Sequence, residues 1–597
     1  MTFAIHGLAV ARGIAIGRAV LLAASHLEVA HYFITAAQVA GEIARVGQAR
    51  DAVVRELQRL QAELPRDAPS ELAALLDVHL MLLQDEMLED GVKHWISERL
   101  YNAEWALMTQ FEVIARQFDE MEDEYLRERK ADLEQVVERI LRHMRGLALP
   151  AVVAPPATDS ALAEAPALVL VAPDLAPADL LQFKQGVFAG FVTATGGKTS
   201  HTAIVARSMD IPAVVGARAA SQLVRQDDWV IIDGDAGVLI VDPSPILLDE
   251  YRFRQRQLVL ERERLARLRH TPCVSIDGEK IELLANIEQP ADAAAALRAG
   301  AVGVGLFRTE FLFMGRSGHL PDEQEQYLAY REAVEGMQGL PVTIRTIDVG
   351  ADKPLDKAHK DTHLNPALGL RAIRWSLADP VMFRTQMRAI LRAAQFGPVN
   401  MMWPMITSVE ELKQCRIHFE TAQRQLTERN ETFALPKIGC MIEIPSAALT
   451  VSVLLKLTDF ISIGTNDLIQ YTLSVDRSDD AVSYLYQPAH PAVLNLLFHI
   501  IRTASRMGKS VSICGEIAGD TQYTRLLLAM GLRRFSMNPA NLLAVKDIII
   551  HSHINRLEDE LPKIIRNDDP EKSEKLLKKL NEMVFHADGD VKAATAD

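Results

Sequence analysis

Two short apolar runs, Ile438-Gly-Cys-Met-Ile-Glu-Ile444 and Phe460-Ile-Ser-Ile-Gly-Thr-Asn-Asp467, decide the fold. Each reads as a strand that carries a carboxylate at or just beyond its end. Glu443 and Asp467 stand 24 residues apart, close to the length of one β/α unit. Working outward, Ile281–Ile287, Gly303–Phe307, Val342–Asp348, Asn400–Pro404, Val511–Gly515 and Arg534–Met537 repeat the pattern, with helical stretches between them. Eight strands alternating with helices predict a (β/α)8 barrel over 271–570. Such barrels collect their reactive side chains at the carboxyl ends of the strands.

Those ends hold four arginines. Arg308 lies in Gly305-Leu-Phe-Arg-Thr-Glu-Phe-Leu-Phe313, and Arg345 in Ile344-Arg-Thr-Ile-Asp348. Arg371 opens Arg-Ala-Ile-Arg374, and Arg477 closes Thr472-Leu-Ser-Val-Asp-Arg477. A guanidinium fork meets phosphate or carboxylate with two parallel bonds, which an ammonium cannot do. One such arginine reads as a surface ion pair; four at predicted strand ends point to an anionic ligand. Glu443 and Asp467, on adjacent strands, form a hard-oxygen pair of the kind that holds Mg2+ beside phosphate oxygens, or else they pair with the arginines. Cys514, in Ser512-Ile-Cys-Gly-Glu516, is placed at a strand end where a thiol can act as an acid. Cys273, Cys415 and Cys440 read as small buried hydrophobes.

Composition narrows the class. Across 597 residues, hydrophobic side chains make up 49% and charged ones 24%, which excludes wholesale disorder. Four cysteines without paired spacing exclude a disulfide framework and a thiolate zinc site. A net charge of −15 argues against nonspecific nucleic-acid binding. No apolar run approaches the ~20 residues of a membrane span. The segment Gly13–Ala24, nearest to a signal peptide, is interrupted by Arg18 and by Gly17, so the expected location is the cytoplasm without membrane insertion.

Residues 1–35 open with strand-like runs between Gly7 and Val20. From 36 to 145 the spacing turns helical. Leu75, Leu76, His79, Leu80, Leu82 and Leu83 fall along one helix, ahead of Asp85 and Glu86. Phe111, Ile114, Phe118, Met121 and Tyr125 fall along another, predicting a bundle or paired hairpins. This unit carries 23 acidic against 14 basic side chains, more than half of the chain's net charge. It is either a solvated surface or a docking face for a basic partner. A Pro/Ala-rich linker, Ala151–Ala167, leads into a compact α/β unit within 146–242. Over 243–270, Leu247–His270 reads as one long, exposed, charged connector helix. In 571–597, a last helix from Pro570 to Met583 is followed by an expected disordered end from His586.

The segment Thr193-Ala-Thr-Gly-Gly-Lys-Thr-Ser-His-Thr-Ala-Ile-Val-Ala-Arg207 joins a strand to a helix through a Gly-rich turn. It is not a P-loop, because Val192 occupies the position of that motif's first glycine. His201 sits near the helix N-terminus beside Thr199, Ser200 and Thr202. Free N–H groups and the helix dipole there favour a neutral imidazole and stabilise an attached phosphoryl group. A histidine that merely caps the helix leaves the Gly-Gly turn and the hydroxyl cluster unexplained.

Gly196–Ser208 followed by Ile211-Pro-Ala-Val-Val-Gly216 resembles the phosphohistidine signature of phosphoenolpyruvate-utilising enzymes. Gly305–Met314, Phe460–Leu473 and Cys514–Asp520 resemble barrel motifs of enzyme I of the bacterial phosphoenolpyruvate:sugar phosphotransferase system, and the likeness runs over about residues 1 to 570. The resemblance implies a helical docking domain inserted in a swivelling α/β phosphohistidine domain, then a barrel that also forms a homodimer. It implies that His201 takes phosphate from phosphoenolpyruvate with help from Arg207. Arg308 and Arg345 then bind the phosphate, Asn466 and Arg477 the carboxylate side, and Arg371 belongs to the same substrate site. Glu443 and Asp467 hold Mg2+, and Cys514 protonates the enolate to pyruvate. The helical unit resembles the family's docking domain for the phosphocarrier HPr, through His79-Leu-Met-Leu-Leu-Gln-Asp-Glu86 and Asp123–Arg129. His79, Leu82, Leu83, Asp85, Glu86 and Arg129 are the docking residues this implies. Ala176, Gln84 and Met87 depart from residues common in relatives. A pyruvate phosphate dikinase or phosphoenolpyruvate synthase would need a large ATP-binding domain where the helical unit lies. The nitrogen-branch enzyme I would carry an added sensory domain, and an inactive regulatory binder would have lost His201, Cys514 or an arginine. Autophosphorylation, transfer to HPr and a swivel about the connector are the expected activity.

Overall fold

The computed structural model describes residues 2–22, 29–63, 70–119, 124–146, 167–173, 175, 188–196, 211–313, 320–349, 366–477, 482–585 and 591–593. The chain forms two compact units, Met1–Glu261 and Arg262–Asp597.

The first unit is built on an eight-stranded sheet. Its first three strands, β1 (Phe3–His6), β2 (Leu8–Ala11) and β3 (Ile14–Leu21), come from the start of the chain. The other five, β4 (Leu168–Ala172), β5 (Phe188–Thr193), β6 (Ala213–Val215), β7 (Trp229–Asp233) and β8 (Val238–Val241), follow much later. The order is β1-β8-β7-β3-β4-β5-β6-β2. β3 lies parallel to β4 and antiparallel to β7, so the chain returns to the same strand after a long excursion. The close approach at the start of β4 needs glycine: a Cβ on Gly17 would sit 2.1 Å from the Ala167 carbonyl oxygen.

The excursion is helical: α1 (Val39–Glu63), α2 (Ser70–Leu83), α3 (Glu86–Arg99), α4 (Ala103–Asp119) and α5 (Glu124–Met144). Val53, Leu57, Ile96, Leu107 and Val136 are buried in one shared core. α3 starts where Asp85 caps it, accepting from the Met87 N–H at 2.8 Å. The apolar spacing from Phe111 to Tyr125 does not mark a single helix. α4 stops at Asp119, and α5, which starts at Glu124, packs along it. Both helices face the same core, so helical spacing carries across the junction between them.

The second unit is a closed barrel of eight strands: β9 (Glu282–Ile287), β10 (Val304–Phe307), β11 (Val342–Arg345), β12 (Val399–Trp403), β13 (Lys437–Ile442), β14 (Phe460–Ile463), β15 (Ser510–Ile513) and β16 (Arg534–Met537). Every neighbouring pair is parallel. The strands end one to three residues before several of the predicted limits. β11 stops at Arg345, and Asp348 rides on the loop beyond it. The helix Pro245–Arg267 links the units' sequences. Tyr251 Oη donates to Asp233 Oδ2 at 3.1 Å and Gln255 Nε2 to Ile14 O at 2.9 Å. Further along, Arg264 grips Asp547 with both terminal nitrogens, at 2.9 and 2.7 Å. The expected disordered end is corrected in part: Val591–Ala593 pairs antiparallel with Met583–Phe585.

Candidate active site

At the carboxyl end of the barrel, charges alternate along a chain of contacts. Arg345, the buried last residue of β11, donates from Nη2 to Glu310 Oε1 at 2.9 Å and from Nη1 to Asp348 Oδ2 at 2.7 Å. Asp348 uses its other oxygen to accept from Arg371 Nη2 at 3.1 Å, and the same nitrogen lies 3.5 Å from Asp467 Oδ2. Burial works to lower the pKa of Arg345, but Glu310, Asp348 and Glu443 outweigh it and hold the guanidinium above its ordinary value. Arg371 is raised in the same way, against burial, by Asp348 and Asp467.

Glu443 follows β13 and is almost wholly buried. Its Oε1 accepts from the Met405 N–H at 2.5 Å, and Met405 adopts a left-handed conformation, φ 51°, to offer that group. Gly464 leaves room for the other oxygen: a Cβ there would stand 2.6 Å from Glu443 Oε2. Asp467 lies in the first turn of the helix Thr465–Leu473. One oxygen from each of Asp348, Glu443 and Asp467 falls within 4.8 Å of the others. Burial first, then the charges of Asp348 and Asp467, push Glu443 well above the usual carboxylate range. Asp467 is raised by burial and Asp348 despite the opposing arginines. Three hard-oxygen donors whose mutual repulsion the arginines do not offset fit a divalent cation such as Mg2+.

Nearer the rim, Asn466 and Glu516 clasp each other. Asn466 Nδ2 donates to Glu516 Oε1 at 3.1 Å, and the Glu516 N–H donates to Asn466 Oδ1 at 3.0 Å. Arg477 Nη1 reaches the same Glu516 Oε1 at 3.3 Å. Arg308 pairs with Glu288. Arg308 and Arg345 stand at strand ends as expected. Arg371 and Arg477 do not: Arg371 immediately precedes the helix Ala372–Ala378, and Arg477 follows the helix Thr465–Leu473 by four residues. Cys514 sits just past β15, 3% exposed, against Leu306, Met402 and Met441. Burial pushes its thiol up to about 11, so it is protonated at neutral pH.

Residues 262–554 match the phosphoenolpyruvate-binding domain of phosphoenolpyruvate-utilising enzymes, 6–129 their N-terminal domain, and 164–237 their mobile domain. A phosphoenolpyruvate-protein phosphotransferase of Cupriavidus necator is 57% identical over 97% of this chain and 100% of its own length. The chain belongs to the phosphoenolpyruvate-protein phosphotransferase family. Relatives of the same name from Geobacillus stearothermophilus and Bacillus subtilis are 41% and 38% identical, over 91% and 93% of this chain and 92% and 95% of their own.

In this phosphotransferase-family chain, His201 and Arg207 lie outside the described residues, as does Ala176. The described residues on either side of the histidine segment are joined by the Gly216 N–H, which donates to Thr195 O at 3.2 Å. The helical unit corrects three of the expected docking residues. His79, Leu82 and Leu83 are buried inside it, with His79 Nε2 3.7 Å from Asp132 Oδ1. α2 is apolar nearly all round, and spacing alone did not reveal which side turns inward. Asp85 is exposed, and the large apolar groups exposed near it are Met81 and Met87. The side chains of Glu86 and Arg129 lie outside the described residues. Among the described residues no helix is long and apolar enough to cross a membrane.

Sequence reasoning missed Asp348 and Glu310 as site residues, although both stand inside motifs that had been singled out. Their signal was a carboxylate two or three positions after a strand-end arginine. Tyr471, which accepts from Arg371 Nη1 at 3.4 Å and donates to Ala367 O at 2.5 Å, gave none.

Proposed function

We propose that this protein phosphorylates itself on His201 with phosphoenolpyruvate, releases pyruvate, and passes the phosphoryl group to a histidine of the carrier HPr. It would do so as a cytoplasmic homodimer joined through the barrel, as the first step of a sugar phosphotransferase system. The observation that carries this reading is the barrel mouth, where Arg345 and Arg371 are locked between carboxylates beside a buried, protonated Cys514. The relatives' name, which couples phosphoenolpyruvate to a protein acceptor, supports it.

Phosphoenolpyruvate offers a phosphate to Arg308, Arg345 and Arg371 and a carboxylate to Asn466 and Arg477. The last two would leave Glu516 for the substrate. Glu443 and Asp467, with Asp348 beside them, would hold Mg2+, which when bound offsets the charge of the phosphate oxygens. His201 attacks phosphorus in line, the bond from phosphorus to the enolate oxygen breaks, and the enolate carbon takes the Cys514 proton. The pre-set guanidiniums stabilise charge on the equatorial oxygens without having to reorganise. One imidazole must then serve two partners, so the α/β domain swivels about the helix Pro245–Arg267.

The test is incubation with 32P-labelled phosphoenolpyruvate and Mg2+. An acid-labile label that disappears in His201→Ala and moves to added HPr supports the reading. Label that requires ATP, or that survives the substitution, overturns it. A crosslink fixing the α/β domain to the barrel is expected to leave labelling intact and to abolish transfer; normal transfer would remove the swivel.

A further inference from the structure

At the rim of the barrel mouth, a carboxylate of the protein itself sits where the donors assigned to the substrate's carboxylate converge. Asn466 Nδ2 and Arg477 Nη1 both end on a single oxygen, Glu516 Oε1, at 3.1 and 3.3 Å. The backbone beneath this contact is fixed. Gly515 packs so closely on the neighbouring loop that a Cβ there would stand 1.8 Å from Thr465 Oγ1. The Glu516 N–H donates to Asn466 Oδ1 at 3.0 Å, so the main chain alone orients the Asn466 amide. The side chain of Glu516, by contrast, is 78% exposed. Deeper in the mouth, Glu310 and Asp348 also pair with arginines, but their side chains are only 11% and 5% exposed. Those two cannot let go without stranding a buried charge, whereas Glu516 can turn into water at little cost.

A charged group tethered beside its own site is a competitor whose effective concentration is set by the fold and not by the solution. We propose that Glu516 is an internal competitor for the carboxylate subsite, one that yields to phosphoenolpyruvate and expels pyruvate. The proposal rests on the reading that Asn466 and Arg477 bind the substrate's carboxylate. Phosphoenolpyruvate displaces Glu516 because its phosphate is anchored separately, on Arg308, Arg345 and Arg371. Once the phosphoryl group has moved to His201, pyruvate has lost that anchor. Glu516 then meets it carboxylate against carboxylate and reclaims both donors. The same contest discriminates against other small monocarboxylates, which bring no phosphate with them. Only hydrogen bonds and ion pairs are exchanged. An exposed pair of this kind shifts an equilibrium by up to about fivefold.

The test is equilibrium dialysis of the full-length protein with Mg2+ against 14C-pyruvate and, separately, 32P-labelled inorganic phosphate. Glu516→Ala is expected to bind pyruvate about two- to fivefold more tightly than the wild type, with a smaller gain for phosphate. Glu516→Gln, which keeps an acceptor but no charge, is expected to fall between the two proteins. Both variants retain the main-chain bond to Asn466, and a merely structural role for Glu516 would weaken binding where competition strengthens it. Pyruvate affinity that is unchanged or lower in Glu516→Ala overturns the proposal. An equal gain for both anions overturns it too, because losing one negative charge from the mouth would favour any anion. Arg477→Ala separates the competition from the reading beneath it. Pyruvate held there as tightly as in the wild type removes Arg477 from the carboxylate subsite, and that reading with it. Weaker binding there, with no gain in Glu516→Ala, removes only the competition.

Discussion

Asp348→Asn is expected to cost little stability at alkaline pH and much more at acidic pH. The side chain is nearly isosteric, so the change is one of charge. Asp348 faces Arg345 at 2.7 Å and Arg371 at 3.1 Å. With charge centres about 4 Å apart and an effective dielectric near 20, each attraction is worth about 4 kcal/mol. Against these stand Glu443 and Asp467, whose ligand atoms lie within 4.8 Å of those of Asp348. When both are ionised, each repulsion is about 3.5 kcal/mol on the same scale. The terms nearly cancel, leaving a cost of about 1–2 kcal/mol at high pH. Glu443 and Asp467 are raised in the folded state, so the native protein holds their protons longer than the unfolded chain does. Such groups lose stability as pH rises from the unfolded pKa toward the folded one. As pH falls they become neutral, the repulsions vanish, and the substitution approaches the ~3–5 kcal/mol of breaking a buried ion pair. Urea unfolding of the barrel with EDTA, at about pH 5 and about pH 8, measures the difference. Added Mg2+ is expected to increase the cost at the higher pH, because the cation offsets the same repulsion. A cost equal at both pH values and with or without Mg2+ would refute the reasoning.

Iodoacetamide is expected to spare Cys514 at neutral pH and to label it with a midpoint near pH 11, because burial raises that thiol, as peptide mass spectrometry can follow. Ready labelling at neutral pH would contradict a protonated acid. Leu83→Ala is expected to cost the helical unit about 2–5 kcal/mol, and Met81→Ala, at an exposed position, under about 0.5. Similar shifts in calorimetry would mean that α2 packs with another face inward. Gln338 holds φ 51° just after the helix Glu323–Gly336, so Gln338→Gly is expected to stabilise the barrel by about 0.5–1 kcal/mol; a lower melting temperature would deny the strain.

The barrel was legible because each β/α unit writes the same short apolar run and break, and its strand ends followed from that spacing. Arg308, Arg345, Glu443 and Cys514 could be placed at the barrel's carboxyl end because they stand at or next to those strand ends. Asp348 was not singled out, because its role comes from bridging two arginines that are 26 residues apart in sequence, and such a bridge leaves no periodic trace. Glu310 was passed over for the same reason. The inward side of α2 was hidden by its nearly all-apolar surface. The break between α4 and α5 was hidden by a shared core that keeps helical spacing on both sides of it.

The return of the chain to β3 also sets an order of events during synthesis. Ile14–Leu21 leaves the ribosome early, but the first of its two partners, Leu168–Ala172, follows roughly 150 residues later, and Trp229–Asp233 later still. At about 5–20 residues per second, that apolar strand waits ~8–30 s for its first neighbour. The helical unit, whose contacts close over far shorter stretches, can fold completely in that interval. The nascent chain would thus present a finished helical module tethered to an unpaired strand, which makes Ile14–Leu21 the segment most in need of a chaperone.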